Sequence, residues 1–147
     1  MEVIHKDVKD LTASEYRAFH AANFGDTGIM RGELERCKKY NLQSSTISIW
    51  TGIKRRRLVG WALVTPVRGY GDLAASRHTM KVSKYTFQFW VKPQYRGKGY
   101  GKLLMQEAYR LDPRPHVMPH DEKSEKFFSH YHVMVMQIDR NWRDEEL

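Results

Sequence analysis

The run Phe87-Gln88-Phe89-Trp90-Val91-Lys92-Pro93-Gln94-Tyr95-Arg96-Gly97-Lys98-Gly99-Tyr100-Gly101-Lys102-Leu103-Leu104 orders the chain as strand, tight basic glycine loop and helix. Tyr85, Phe87, Phe89 and Val91 alternate with Thr86, Gln88 and Trp90, the period of two expected of a strand. Pro93 has no amide hydrogen to give a ladder, so the strand must stop before it. From Tyr100 the apolar positions move to Leu103, Leu104, Ala108 and Leu111, which is helical spacing. Between the two, Gly97, Gly99 and Gly101 let the backbone approach a ligand closely, and Arg96, Lys98 and Lys102 concentrate positive charge. The N–H groups of the following helix's first turn face the same point, so a phosphate or pyrophosphate is the expected guest.

Spacing removes two nucleotide loops. A Walker A loop places four residues between its Gly and its Gly-Lys, followed by Ser or Thr. Here three residues separate Gly97 from Gly101-Lys102, and Leu103 follows. A dinucleotide fingerprint needs G-x-G-x-x-G and an acid about 20 residues later. This loop is G-x-G-x-G, and the acid nearest that distance, Asp121, opens a helix instead of ending a strand.

The run from Val91 to Leu104 resembles the acetyl-coenzyme A loop of the GNAT superfamily of N-acetyltransferases. The family pattern (Gln/Arg)-x-x-Gly-x-(Gly/Ala) is met by Arg96, Gly99 and Gly101, and the preceding strand, the Pro after Val91 and the following Leu-Leu also agree. The resemblance implies a GNAT-like α/β fold, a central, mostly antiparallel mixed sheet with helices on both faces. Acetyl-coenzyme A is the implied cosubstrate, held by Phe89, Trp90, Val91, Arg96, Gly97, Lys98, Gly99, Tyr100, Gly101 and Lys102. The implied reaction is direct transfer of the acetyl group to a primary amine of a small molecule or protein, with a backbone N–H near Val91 as oxyanion donor. No metal is needed.

Catalytic side chains are less legible. The family often carries a Tyr on its last helix to protonate the leaving thiolate, and Phe128 takes that position here. Tyr131 lies one turn further on the same face and is the candidate substitute, with a packed tyrosine as the competing reading. No acid stands in the signature strand, where some members place a glutamate base; Gln88 cannot serve. His116 and His120 titrate near neutrality and lie near the right place, so His116 is the candidate base. His116, His120, His130 and His132 match no zinc spacing. Cys37, in a helix beside Lys38 and Lys39, has no matching His, and packing is its expected role.

With 147 residues, one domain spanning 1–147 is expected, ending in a polar tail from 141 to 147. An apolar fraction of 41% with 29% charged residues is ordinary for a globule. No apolar run is long enough for a transmembrane helix, and the N-terminus lacks a secretory pattern. A single cysteine excludes an internal disulfide, so a cytoplasmic protein without a membrane partner is expected, as monomer or homodimer. The net charge of +8 suits polyanionic coenzyme A and disfavours strongly cationic acceptors.

In chain order, Glu2–Val8 reads as a first strand. Thr12-x-x-Glu15 is a capping box that opens a helix ending near Gly25, and a second helix covers about Met30 to Tyr40. Ser45–Thr51 and Leu58–Val64 form an antiparallel hairpin, the second strand apolar on both faces and hence central. The tip, Lys54-Arg55-Arg56-Arg57, reads as a solvated turn that also blocks edge pairing, in preference to a nucleic-acid footprint. Residues 66–81 read as a long loop bordering the acceptor side. His116–Met118 and Val133–Ile138 are expected strands, around a helix from Glu122 to about Tyr131 with Asp121 as its N-cap. Two rival functions remain: an acyl-coenzyme A-binding module with little activity, and a basic nucleic-acid-binding protein built on Lys54–Arg57 and the basic loop.

Overall fold

The computed structural model describes residues 1–22, 28–66, 84–113, 115–117, 126 and 134–135. Its elements are β1 (Glu2–Asp7), α1 (Ala13–Ala22), α2 (Gly28–Lys39), β2 (Ser45–Thr51), β3 (Arg57–Pro66), β4 (Tyr85–Val91), α3 (Tyr100–Leu111), β5 (His116–Val117) and β6 (Met134–Val135). Single 3-10 turns follow β1, at Val8–Asp10, and β4, at Pro93–Tyr95. One six-stranded sheet has the order β1-β2-β3-β4-β5-β6. The first four strands pair antiparallel; β4 with β5 and β5 with β6 are parallel. The expected mixed, mostly antiparallel sheet is therefore present.

Alternating side chains divide the core between the two faces of the sheet. One face carries Trp50, Leu58, Trp61, Leu63 and Trp90, covered by Phe19 of α1 and by Met30, Leu34 and Cys37 of α2. Phe19 stacks on Trp61, ring centroids 4.6 Å apart. The other carries Ile47, Ile49, Val59, Ala62, Val64, Phe87 and Val117, covered by Leu104, Met105 and Ala108 of α3. Helices thus lie on both faces. β3 is buried at every position from Leu58 to Thr65, as a strand apolar on both sides requires. Its pairing with β2 slips between Ile49 and Trp50, where Trp50 faces Leu58 and Ile49 faces Gly60. Val59 is the extra residue, and the bulge lets Leu58 share the α1/α2 face with Trp61 and Leu63, from which strict alternation would exclude it.

The capping box forms as read. Glu15 N–H donates to Thr12 Oγ1 at 3.1 Å, and Thr12 N–H donates to Glu15 Oε1 at 2.9 Å. Several expected boundaries move. α2 begins at Gly28 and ends at Lys39, while β3 runs on to Pro66, where a missing N–H costs nothing at a strand's end. Leu111, expected on the buried face of α3, is 36% exposed, and Met105 takes its place in the core. The loop beyond Pro66, the helix from Asp121 and the tail lie outside the described residues, apart from Lys126, which is helical.

Candidate active site

The C-terminal end of β4 is held by its neighbour before the loop begins. Gly60 of β3 faces Val91, and a Cβ on Gly60 would sit 2.8 Å from Trp90 O. Only glycine permits that approach without a shift. Lys92 N–H then donates to Val59 O at 2.8 Å, which fixes where the chain leaves the sheet. Pro93–Tyr95 makes one 3-10 turn, closed by Tyr95 N–H to Lys92 O at 2.8 Å. Arg96 Nε–H reaches back to Val91 O at 2.7 Å. That bond ties the arginine of the motif to the last strand residue.

The turn into α3 is made by two glycines in the left-handed region, Gly97 at φ 76° and Gly99 at φ 92°. A Cβ built on either meets nothing within 4 Å. These glycines answer a backbone demand, and the space above them is open. Gly99 is the N-cap of α3, and the first helical bond is Leu103 N–H to Gly99 O at 3.1 Å. Helix geometry therefore aims the N–H groups of Tyr100, Gly101 and Lys102 out of the helix end, with no acid in the first turn to occupy them. Arg96, Lys98 and Lys102 are exposed around that end. Tyr95 and Tyr100 meet edge to face, centroids 6.0 Å apart, and pack on the α3-face core, closing the base of the loop. Amides, open space and cations together fit a pyrophosphate.

Residues expected to line the coenzyme divide between the faces. Phe89 and Val91 are half-buried on the α3 side, Phe89 stacked on Phe87 at 6.0 Å. Trp90 sends its side chain into the opposite core, leaving its backbone for any ligand contact. β5 pairs with β4 at Thr86 and Phe87, ahead of the Phe89–Val91 end. His116 lies on β5 opposite Thr86, and Tyr131 falls outside the described residues, as do His120, His130 and His132. Among the described residues no group of His, Cys, Asp and Glu forms a metal cluster. Cys37 is 1% exposed in the α1/α2 core, which agrees with packing.

Sequence reasoning missed three polar features around this unit. Asp112, fully buried at the end of α3, accepts from Lys84 N–H at 2.7 Å and Tyr85 N–H at 2.9 Å, fastening the helix to the start of β4. Glu107, 8% exposed on α3, meets His5 Nε2 of β1 and Arg110 NH1, each at 3.0 Å. Gln88 is 4% exposed, and its Oε1, like Trp61 Nε1, is buried without a hydrogen-bond partner among the described residues. An acid in the last turn of a helix is a weak cue, and a strand Gln carries none.

Comparison with known proteins bears on this geometry. Solved structures share the fold, among them the three that follow. AtaTR bound with AcCoA is 13% identical, with 88% of this chain and 84% of that chain covered and a TM-score of 0.57. A mutant of KacT is 14% identical, with 88% and 85% covered and a TM-score of 0.56. The KacTA–DNA complex is 15% identical, with 88% and 82% covered and a TM-score of 0.51. At such identities the likeness is one of fold. No curated protein matches the chain. The model of the acetyltransferase (GNAT) domain family matches residues 47–132, from β2 through the glycine loop and α3 to beyond β5. That span is more than half of the chain and contains the whole strand–loop–helix unit, so the chain belongs to the GNAT acetyltransferase domain family.

Proposed function

We propose that the protein is an acetyl-coenzyme A-dependent N-acetyltransferase that acts on a primary amine of a small molecule or protein. The observation that carries this is the glycine loop: two left-handed glycines under open space, at a helix end whose N–H groups point outward, ringed by exposed cations. Gly97 through Gly101 hold the pyrophosphate by their amides, with Arg96, Lys98 and Lys102 adding charge. The Phe89–Val91 backbone aligns the pantetheine arm, and an N–H near Val91 stabilises the developing oxyanion. The bound coenzyme supplies a thioester carbonyl. The acceptor nitrogen attacks that carbon, the C–S bond breaks, and an amide and a free thiol result. His116 takes the proton from the amine, and Tyr131 gives one to the departing thiolate.

Calorimetric titration with acetyl-coenzyme A, beside ATP, tests the binding half. Micromolar coenzyme binding with weak ATP binding is expected, and absence of coenzyme binding would remove the assignment. Release of free thiol on adding an amine then separates an enzyme from an inactive binding module.

A further inference from the structure

The basic run at residues 54–57 acquires a neighbour in the fold. β3 pairs antiparallel with β4, Gly60 facing Val91, and Lys92 N–H bonds Val59 O. The tip of the β2–β3 hairpin and the glycine loop therefore leave the sheet side by side, at the same end. Lys54, Arg55, Arg56 and Arg57 are exposed on one side of this rim, and Arg96, Lys98 and Lys102 on the other, with Lys92 between them. Strand register brings one acid to this end among the described strand residues: Glu2, which pairs with Arg56 at 3.2 Å. The coenzyme's phosphates engage the loop side, so the hairpin cations exceed what the proposed reaction uses.

The hairpin also carries more than charge. The Arg56 guanidinium lies 4.7 Å over the Trp50 ring, and although it also pairs with Glu2 the side chain is still 43% exposed. Ile53 beside it is 100% exposed. Unstacked bases bind to guanidinium planes and apolar groups of this kind, and single-stranded RNA loops present such bases where duplex DNA does not. An acidic protein would use the charge but has no use for the plane. We propose that this rim, Lys54–Arg57 with the adjoining loop cations, docks single-stranded or looped RNA through its phosphates, with a base against Arg56.

Fluorescence anisotropy of a labelled RNA stem-loop, over a series of salt concentrations, tests the inference without assuming acetyl transfer. K54A/R55A/R57A leaves Arg56, Trp50 and the loop intact. It is expected to weaken RNA binding about tenfold or more at moderate salt, and to flatten the slope of log K against log salt by about 2. Coenzyme A affinity and Tm should stay unchanged. R55E alone should also weaken binding, which guards against loss of fold in the triple variant. R56K keeps the charge but loses the plane, and should reduce the preference for RNA over duplex DNA. The proposal is overturned by wild-type protein that fails to bind RNA, by unchanged affinity and slope in the triple variant, or by tighter binding of duplex DNA. Displacement by polyglutamate at equal charge would overturn it in favour of an acidic polypeptide.

Discussion

Gly99 and Gly60 show how single positions decide whether the loop exists. Gly99 must hold φ 92° at the mouth of α3, so Gly99→Asp brings backbone strain and a negative charge to the phosphate position together. Titration should show coenzyme A binding reduced at least a hundredfold, with the far-UV spectrum of a folded domain retained. Gly60→Ala acts from beneath: its Cβ would press on Trp90 O at 2.8 Å and on Val91, moving the strand end from which the loop departs. A stability loss of about 1–3 kcal/mol by denaturant titration is expected, with weaker coenzyme binding. Gln88 makes the opposite prediction. Its buried Oε1 lacks a partner among the described residues, so Gln88→Met removes a desolvation cost at similar volume, and Tm should hold or rise.

At the scale of elements, the strand–loop–helix unit was legible because each part is local. Alternation over Tyr85–Val91, Pro93 and the glycine pattern all act within a few residues, and β4 and α3 begin and end where they imply. The Thr12/Glu15 box was legible for the same reason. What sequence could not give depends on partners far away in the chain. Leu111 lost its place on the core to Met105 because α3 packs by its real rotation on the sheet, which periodicity leaves uncertain by a residue. The basic tip and the basic loop were both legible as charge, but that they border one rim depends on the pairing of β3 with β4. Asp112 finds its donors at Lys84 and Tyr85, on the far side of a helix and a strand. The α1 cap carries a prediction of its own. Burial pushes the Glu15 carboxyl up, but hydrogen bonds from Lys6 and from the N–H and hydroxyl of Thr12 outweigh this and leave it below its ordinary value of 4.5. A depressed carboxyl contributes stability that is complete above the ordinary value and is lost as pH falls through the lower, folded one. Glu15→Gln should therefore cost about 1–2 kcal/mol near neutrality, and the variant's acid limb should be flatter than that of the wild type.

Across the whole molecule, α3 links parts that the chain order keeps apart. It leaves the end of β4 through the glycine loop, crosses the face built on Ile47, Val59, Val64 and Phe87, and reaches β1 through Glu107 and His5. At its C-terminus Asp112 turns back to the start of β4, so strand, loop and helix form a closed circuit fastened at both ends of the sheet. A closed circuit transmits a fault at one end to the other, since packed elements shift as units. Asp112→Ala removes the buried carboxylate that accepts from two backbone N–H groups, at Lys84 and Tyr85. Each orphaned donor costs about 1–3 kcal/mol, so a total of about 2–6 kcal/mol is expected. For a chain of this size that is a fall in Tm of about 4–24 °C. Asp112→Asn keeps a carbonyl oxygen at the site and should lose less than half as much. If the circuit is mechanical as well as energetic, coenzyme affinity should fall in Asp112→Ala even at a temperature where it is fully folded, though the substitution lies at the opposite end of α3 from the glycine loop. Calorimetric titration beside thermal melts decides this: a lower Tm with unchanged affinity would confine Asp112 to stability and leave the loop's geometry to Gly60, Lys92 and Arg96.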